Sequence, residues 1–350
     1  MLLHVVDALY DSCKITVLLP DDVSRAQPSV QGELEAREVH TIVGPVPVVR
    51  RGYLTPTGML TLLRRTMAFS RYLLKSKPDV LWCATSATLL CAPIARAIGV
   101  RRVVLHNQEI WKGIESTALG TLASSCTNIV AISSASKKSL PTRLAMRTTV
   151  ILNATESPND TIAPPDSGKP RFIIASRWND WKGHRTLLHA WKRAGAPGWL
   201  LIAGGPPEAG VAVDVPRMIF DLDLTSSVEV VGEVADISRL IDQANFVVVP
   251  SDAPEPFGLV AIEAMAHARP VVGSSGGGLG EIIHDKQDGF LFENASIEQL
   301  AQVLVLCTVD RSIEMSDAAR QTFLREYSIP AFDRKLENWW TADILSHLKL

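Results

Sequence analysis

Cysteine is scarce and scattered in this chain of 350 residues. Cys13, Cys83, Cys91, Cys126 and Cys307 form no CxxC and no Cys/His pair at zinc-ligand spacing. That excludes a disulfide framework or a zinc module and makes a reducing cytoplasm the expected compartment. Charge of one sign is missing too: the formal net charge is -2, which speaks against a nucleic-acid binder held by bulk electrostatics. No apolar run reads as a membrane span. The longest, VLWCATSATLLCAPIARAIGV, is broken by Thr, Ser, Pro and Arg and reads as a strand followed by a helix. No signal peptide is recognisable ahead of it. Dinucleotide (GxGxxG) and P-loop glycine patterns are both absent. Low-complexity sequence is scant, and a composition of 47% hydrophobic and 21% charged residues fits a globular protein. The length exceeds one ordinary core and points to two domains.

The near-neutral total conceals an asymmetry. Residues 1–165 carry 18 basic and 12 acidic side chains, whereas residues 166–350 carry 17 and 25. A basic half beside an acidic one suits a protein with one domain facing an anionic surface.

Strand-like and helical runs alternate throughout. KITVLLP, HTIVGPV, DVLWC, RRVVLH and TNIVAIS are short, rich in β-branched residues and bounded by turn residues, with helical stretches over 58–77 and 86–98 between them. A Pro-, Asp- and Ser-rich segment, 156–170, reads as a linker. Alternation restarts with RFIIAS, WLLIAG, VEVVG, FVVVPS and RPVVGSS as strands and helices around 183–194, 236–243, 258–268 and 296–306. This is the pattern of βαβ units and parallel sheets, so the expected fold is α/β with two doubly wound domains. Ligands of such sheets bind at the carboxyl ends of the strands. The start is unusual: MLLHVVDALYDS has helical periodicity, with Leu2, Val5, Val6 and Leu9 on one face, where a strand and a glycine-rich turn are expected.

Four loops at predicted strand ends in the second half carry candidate chemistry. SRWNDWKG places Arg177 and Lys182 near a helix start, where free amides, helix dipole and side-chain charge add into an anion site; two solvated charges are the plain alternative. AGGPPEAG, including Gly204, allows close backbone approach to a ligand. In PSDAPEPFGLVAIEAMA, Pro254 and Pro256 keep Glu255 out of a helix that begins near Phe257–Gly258, while Glu263 sits two turns along it with a carboxylate suited to a diol. GSSGGGLGEII brings three successive glycines to the last strand end.

Other candidates are weaker. Asp221 and Asp223 form a DxD that follows no clear strand end, and no metal site is expected from it. His106 ends the strand VVLH, and either faces a ligand cleft or is a partly buried structural residue. The stretch TPTGMLTLLRRTMAFSRYLLKSK sets Arg64, Arg65, Arg71, Lys75 and Lys77 beside Leu60, Leu63, Met67 and Leu74. It reads equally as a helix lying on anionic lipid and as an ordinary amphipathic helix of a βαβ unit.

Taken in order, these segments resemble the retaining, GT-B-fold sugar transferases of glycosyltransferase family 4, over nearly the whole chain. SRWNDWKG is similar to the family's basic donor-phosphate motif, and VVGEVADISRLIDQANFVVVPS, which includes Val234, to the segment bordering the nucleotide base. EPFGLVAIEAMAHARPVV resembles the E-x7-E signature, and GGGLGEIIHDKQDGFLF the glycine turn after it. IVAISSASKKSL and VILNA resemble segments ahead of the linker, and SIPAFDRKLENWW a closing helix that returns to the first domain. The resemblance implies two Rossmann-like domains facing across a cleft: an acceptor domain over 1–160, a donor domain over 161–330 and a returning helix over 331–350.

It also implies roles. Arg177 and Lys182 neutralise the donor diphosphate in place of a metal. Glu255 contacts the transferred sugar, as nucleophile or as orienting group. The amides of Phe257, Gly258 and Leu259 bind sugar hydroxyls and diphosphate, Glu263 holds the ribose, Gly204 and Val234 line the donor site, and His106 closes on the sugar from the other domain. No cofactor or metal is expected. The implied partners are a nucleotide-sugar donor, a lipid-linked or saccharide acceptor and an anionic membrane surface met by the basic half, with no nucleic acid. The implied location is cytoplasmic and peripheral to the membrane. Departures from the family pattern are Ala154 and Ala268 where glycines are usual, and the missing first strand and glycine-rich loop. Those leave a start upstream of Met1 or a decayed, non-catalytic copy that at most binds nucleotide sugar as alternatives. A nicotinamide-dependent dehydrogenase shares the layout but would need the absent glycine pattern.

Overall fold

The computed structural model describes residues 1–22, 29–160, 162–207 and 210–348. Thr161 of the expected linker and two residues of AGGPPEAG, Glu208 and Ala209, lie outside them. Twelve described strands are β1 (Thr16–Pro20), β2 (His40–Gly44), β3 (Val80–Cys83), β4 (Arg102–Asn107), β5 (Asn128–Ala131), β6 (Thr148–Val150), β7 (Arg171–Ala175), β8 (Trp199–Ala203), β9 (Val228–Gly232), β10 (Phe246–Val249), β11 (Val271–Ser274) and β12 (Gly289–Phe292). All the strand pairs are parallel. The chain divides into two units, Met1–Leu152 with Phe332–Leu350, and Asn153–Ala331.

The second unit holds one six-stranded sheet in the order β12-β11-β10-β7-β8-β9. Its order reverses between β10 and β7, the switch point at which doubly wound sheets open a crevice. All four residues of β10 are buried, as a central parallel strand covered on both faces requires. Phe172 stacks on Phe246 (5.6 Å between centroids) and meets Trp191 edge-on (5.1 Å), filling the layer between sheet and helices. The four-residue edge strand β12 and the long helix Val309–Glu326, which starts where the Thr308 side chain accepts the Arg311 amide, are among the elements the sequence pattern does not mark.

Residues 153–160, expected in the first domain, group with the second unit. Backbone contacts explain this: Thr155 donates to the Tyr327 carbonyl at 3.1 Å and bridges Ser328. Further along the expected linker, the buried Arg269 guanidinium donates to the carbonyls of Ile162 (2.8 Å), His267 (2.7 Å) and Asp242 (2.7 Å). Asn245 adds a bond to the Pro165 carbonyl at 2.8 Å. The segment is polar and aperiodic because its partners are side chains rather than a ladder.

The first unit carries its parallel strands in two sheets, β1-β2 and β3-β4-β5-β6, where a single sheet was expected. Phe69, Leu73, Leu105 and Ile129 belong to the core of the larger piece. The smaller piece packs on Val6 of the helix Leu2–Leu9 and Leu34 of the helix Val30–Ala36, together with Val17 and Val39. A long helix, Pro56–Ser76, connects the two sheets in sequence. Thr55 caps it by accepting the Gly58 amide at 3.1 Å, Pro56 takes the first turn, and Lys77 ends it at φ 46°. Within the same unit, Trp82 meets Trp339 at 6.0 Å and Trp340 at 6.4 Å, both at the end of the chain.

Candidate active site

The loops after β7 to β11 are knitted together at the carboxyl edge of the second unit's sheet. After β7, Gly183 adopts φ 75°, and a Cβ there would run into the Pro250 carbonyl oxygen at the end of β10. That close approach brings Lys182 to Glu255: the ammonium donates to Glu255 Oε1 at 2.6 Å. The same oxygen accepts Ser251 Oγ at 2.5 Å. Glu255 is 6% exposed, so this buried carboxylate is compensated by a cation and a hydroxyl. Its backbone is held as well, since the Gly278 amide donates to the Glu255 carbonyl at 2.7 Å and Glu255 bridges Gly277. Asn294, beyond β12, donates to the Ser251 carbonyl at 2.8 Å.

The loops after β8 and β9 join on the other side. Gly204 (φ 125°) donates to the Gly232 carbonyl at 2.7 Å, and a Cβ on it would clash with the Ser176 carbonyl beside Arg177. A Cβ on Gly205 would lie 3.2 Å from the side chain of Glu233, the neighbour of Val234, which is itself exposed. Arg177 is exposed and has no ion pair with a described residue. Lys182 sits 4.2 Å above the Trp181 ring.

The helix Leu259–Ala266 starts immediately after this junction. Gly258 precedes it at φ 125°, packed so that a Cβ would lie 2.6 Å from Leu279. Phe257 is buried and edge-on to Tyr327 at 6.0 Å, which fixes the break, while Leu259 is exposed. The first amides of a helix have no acceptor within it, so this terminus offers donors and positive potential at the switch point. Glu263 lies farther along the helix, half-buried; burial raises its carboxyl above the usual range, opposed by the charge of His267.

Lys182, Glu255, Phe257 and Gly258 are therefore assembled in one place, and Arg177 and Gly204 at its border. His106 belongs to the other unit. It is 2% exposed at the end of β4, edge-on to Trp82 at 5.6 Å, with Nε2 unpartnered among the described residues. Burial, then the positive chain terminus, lowers its pKa to about 4, so it is neutral near pH 7. Asp221, of the DxD, is engaged by Arg217 of its own helix at 2.9 Å. Among the described residues no cluster of three or more His, Cys, Asp or Glu could hold a metal.

Three participants escaped the sequence. Ser251 was visible as the first hydroxyl after FVVV, yet only the fold shows it on Glu255. Asn294 lies 43 residues from Ser251 and has no short-range signal. His184, fully buried beside Lys182, has both ring nitrogens unpartnered among the described residues and a pKa lowered to about 4 by burial first and the Lys182 charge second.

Residues 169–308 match the model of the family described as glycosyl transferases group 1. The matched span contains every loop just described. A stretch of 128 residues is 34% identical to D-inositol 3-phosphate glycosyltransferase of Mycobacterium tuberculosis (strain ATCC 25618 / H37Rv), covering 34% of this chain and 26% of that protein. The chain thus matches about a quarter of the length of these curated relatives. Among solved structures, Anabaena HepE in complex with UDP and glucose superposes with a TM-score of 0.78 at 20% identity, covering 97% of this chain and 95% of that one. Sucrose-phosphate synthase from Thermosynechococcus elongatus gives 0.78 at 19% identity over 99% and 93%. The lipopolysaccharide outer core galactosyltransferase WaaB gives 0.75 at 16% identity over 94% and 99%. The fold is that of the GT-B glycosyltransferases.

Proposed function

We propose that the protein is a retaining, metal-independent glycosyltransferase that moves a hexose from a nucleotide-diphosphate sugar to a lipid-linked or polysaccharide acceptor in cell-surface glycan synthesis. The observation that carries this reading is the Lys182–Glu255 pair at 2.6 Å, set at the switch point beside the open amides of the Leu259–Ala266 helix. Cleavage of the donor's glycosidic bond leaves negative charge on the departing diphosphate. In this reading Lys182, Arg177 (without an ion pair among the described residues) and the helix amides stabilise that charge, usually the largest single contribution in such a site. They do what a bound metal would otherwise do. Glu255, held by Ser251 and Lys182, would face the sugar and Glu263 would take the ribose, with Gly204 and Val234 bordering the donor. A lipid-linked acceptor would place the protein at the inner face of a membrane.

The HepE complexes with UDP and with UDP-glucose make UDP-glucose the first donor to try. A nucleotide-sugar panel followed by thermal shift and by slow donor hydrolysis, with chelator present, tests the reading. One donor should stabilise the protein, by about 2.7 kcal/mol at a hundredfold excess over Kd. Lys182→Ala should fold normally and lose on the order of 10²–10³ in turnover. No stabilising donor, or full activity in the Lys182 variant, would overturn the proposal. The divided sheet of the first unit favours a second reading, a protein that binds donor without turnover. Stabilisation by a donor with neither hydrolysis nor transfer would select it.

A further inference from the structure

The helix Pro56–Ser76 has two apolar faces, and only one of them is used inside the protein. Arg65, Phe69 and Leu73 are its buried residues. Arg65 is spoken for: it donates to Asp21 at 2.5 Å and lies 3.3 Å from Asp22. Met59, Leu60, Leu63, Met67 and Leu74 are instead between 44% and 62% exposed. Successive residues turn by about 100° around a helix axis. On that wheel Met59, Leu63, Leu74, Met67 and Leu60 follow one another through an arc of about 100°, separate from the arc of the buried residues. Arg71, Arg64 and Lys75 occupy the next arc, of about 40°. All three are exposed, as is Lys77 just beyond the helix, and none of the four pairs with a described carboxylate. The helix sequence contains no Asp or Glu at all.

An ordinary helix of a βαβ unit turns its polar face to water. Here the outward face is a ridge of Met and Leu flanked along one side by cations, as in helices that lie in the plane of a membrane interface. We propose that this face of the Pro56–Ser76 helix docks on an anionic lipid surface, with Leu60, Leu63 and Met67 entering the acyl boundary and Arg64, Arg71 and Lys75 meeting headgroup phosphates. Charge decides the occupant. A second copy of the same helix would set these cations against each other, whereas anionic lipid neutralises them. The surface lies in the first unit and does not depend on the donor site being active.

Sedimentation of the full chain with vesicles, in the absence of any sugar donor, tests this. The protein should pellet with phosphatidylcholine vesicles containing phosphatidylglycerol at low salt, less at high salt, and hardly with phosphatidylcholine alone. Arg64→Ala/Arg71→Ala/Lys75→Ala should weaken binding by roughly two orders of magnitude at low salt. Leu60→Gln/Leu63→Gln/Met67→Gln should remove it while leaving the melting temperature unchanged, because the replaced side chains are exposed. The inference is overturned if wild-type protein stays in the supernatant with anionic vesicles, or if the glutamine variant binds as wild type does. It is also overturned if gel filtration reveals a dimer that Leu63→Gln dissolves and vesicles do not compete for.

Discussion

Gly183 and Gly99 share a left-handed backbone and nothing else. Around Gly99 (φ 98°) a Cβ would meet no atom within 4 Å, whereas on Gly183 it would strike the Pro250 carbonyl. Gly99→Ala should therefore cost only the left-handed strain, about 1–2 kcal/mol. Gly183→Ala adds a clash with backbone that cannot be relieved by rotating a side chain. It should cost several kcal/mol more by denaturant titration and separate Lys182 from Glu255, so that donor-induced stabilisation is lost. Equal costs for the two variants would show that the β7 and β10 loops are not locked at this point. The residues that meet here were individually visible in sequence, since Lys182, Glu255 and the Phe257–Gly258 break each belong to a local motif. Ser251 and Asn294 were not, because their roles come from loops that meet only once the sheet has formed.

Among the elements, the helix Leu259–Ala266 ends in a way that the sequence hints at. Ala268 stands at φ 55°, the Arg269 amide returns to the Ala264 carbonyl at 2.9 Å and the Ala268 amide to Met265 at 3.0 Å. This is a Schellman ending, in which glycine is the unstrained residue at the left-handed position. Ala268→Gly should raise stability by about 1 kcal/mol, read as a higher midpoint in urea. An unchanged or lower midpoint would mean that the buried methyl contributes more packing than its backbone costs. Strands buried on both faces, such as FVVV, and helices with clear caps were legible in the sequence. The edge strand β12 was hidden inside a glycine-rich stretch, and the division of the first sheet leaves no trace in local periodicity, since each of its strands is well formed on its own.

For the molecule as a whole, the buried His106 and His184 set an acid limit. His106 and His184 both have folded pKa values near 4, below the 6.5 of the unfolded chain. Above pH 6.5 they are neutral in either state and affect nothing. Between about 6.5 and 4 the unfolded chain takes up protons that the folded one refuses, so stability falls as pH drops through that window. Each fully coupled histidine contributes a slope of at most about 1.4 kcal/mol per pH unit. Melting temperatures should decline from pH 7 to 4.5, and His184→Asn should flatten the curve. A pH-independent melt would refute the assignment. Glu263, raised by burial, acts in the opposite direction and closer to the carboxylate range. The acidic second half, legible from composition, is also the half that holds Arg177 and Lys182, so the average charge does not describe the sheet edge.

The two-stranded ladder of β1 and β2 relies on a small nucleus of buried side chains that includes Val6, Val17, Leu34 and Val39. A pair of strands is marginal by itself, and regions with so few apolar contacts open far more often than a full core does. A protease sampling the folded protein would accordingly find its first cut in the opening stretch of the chain.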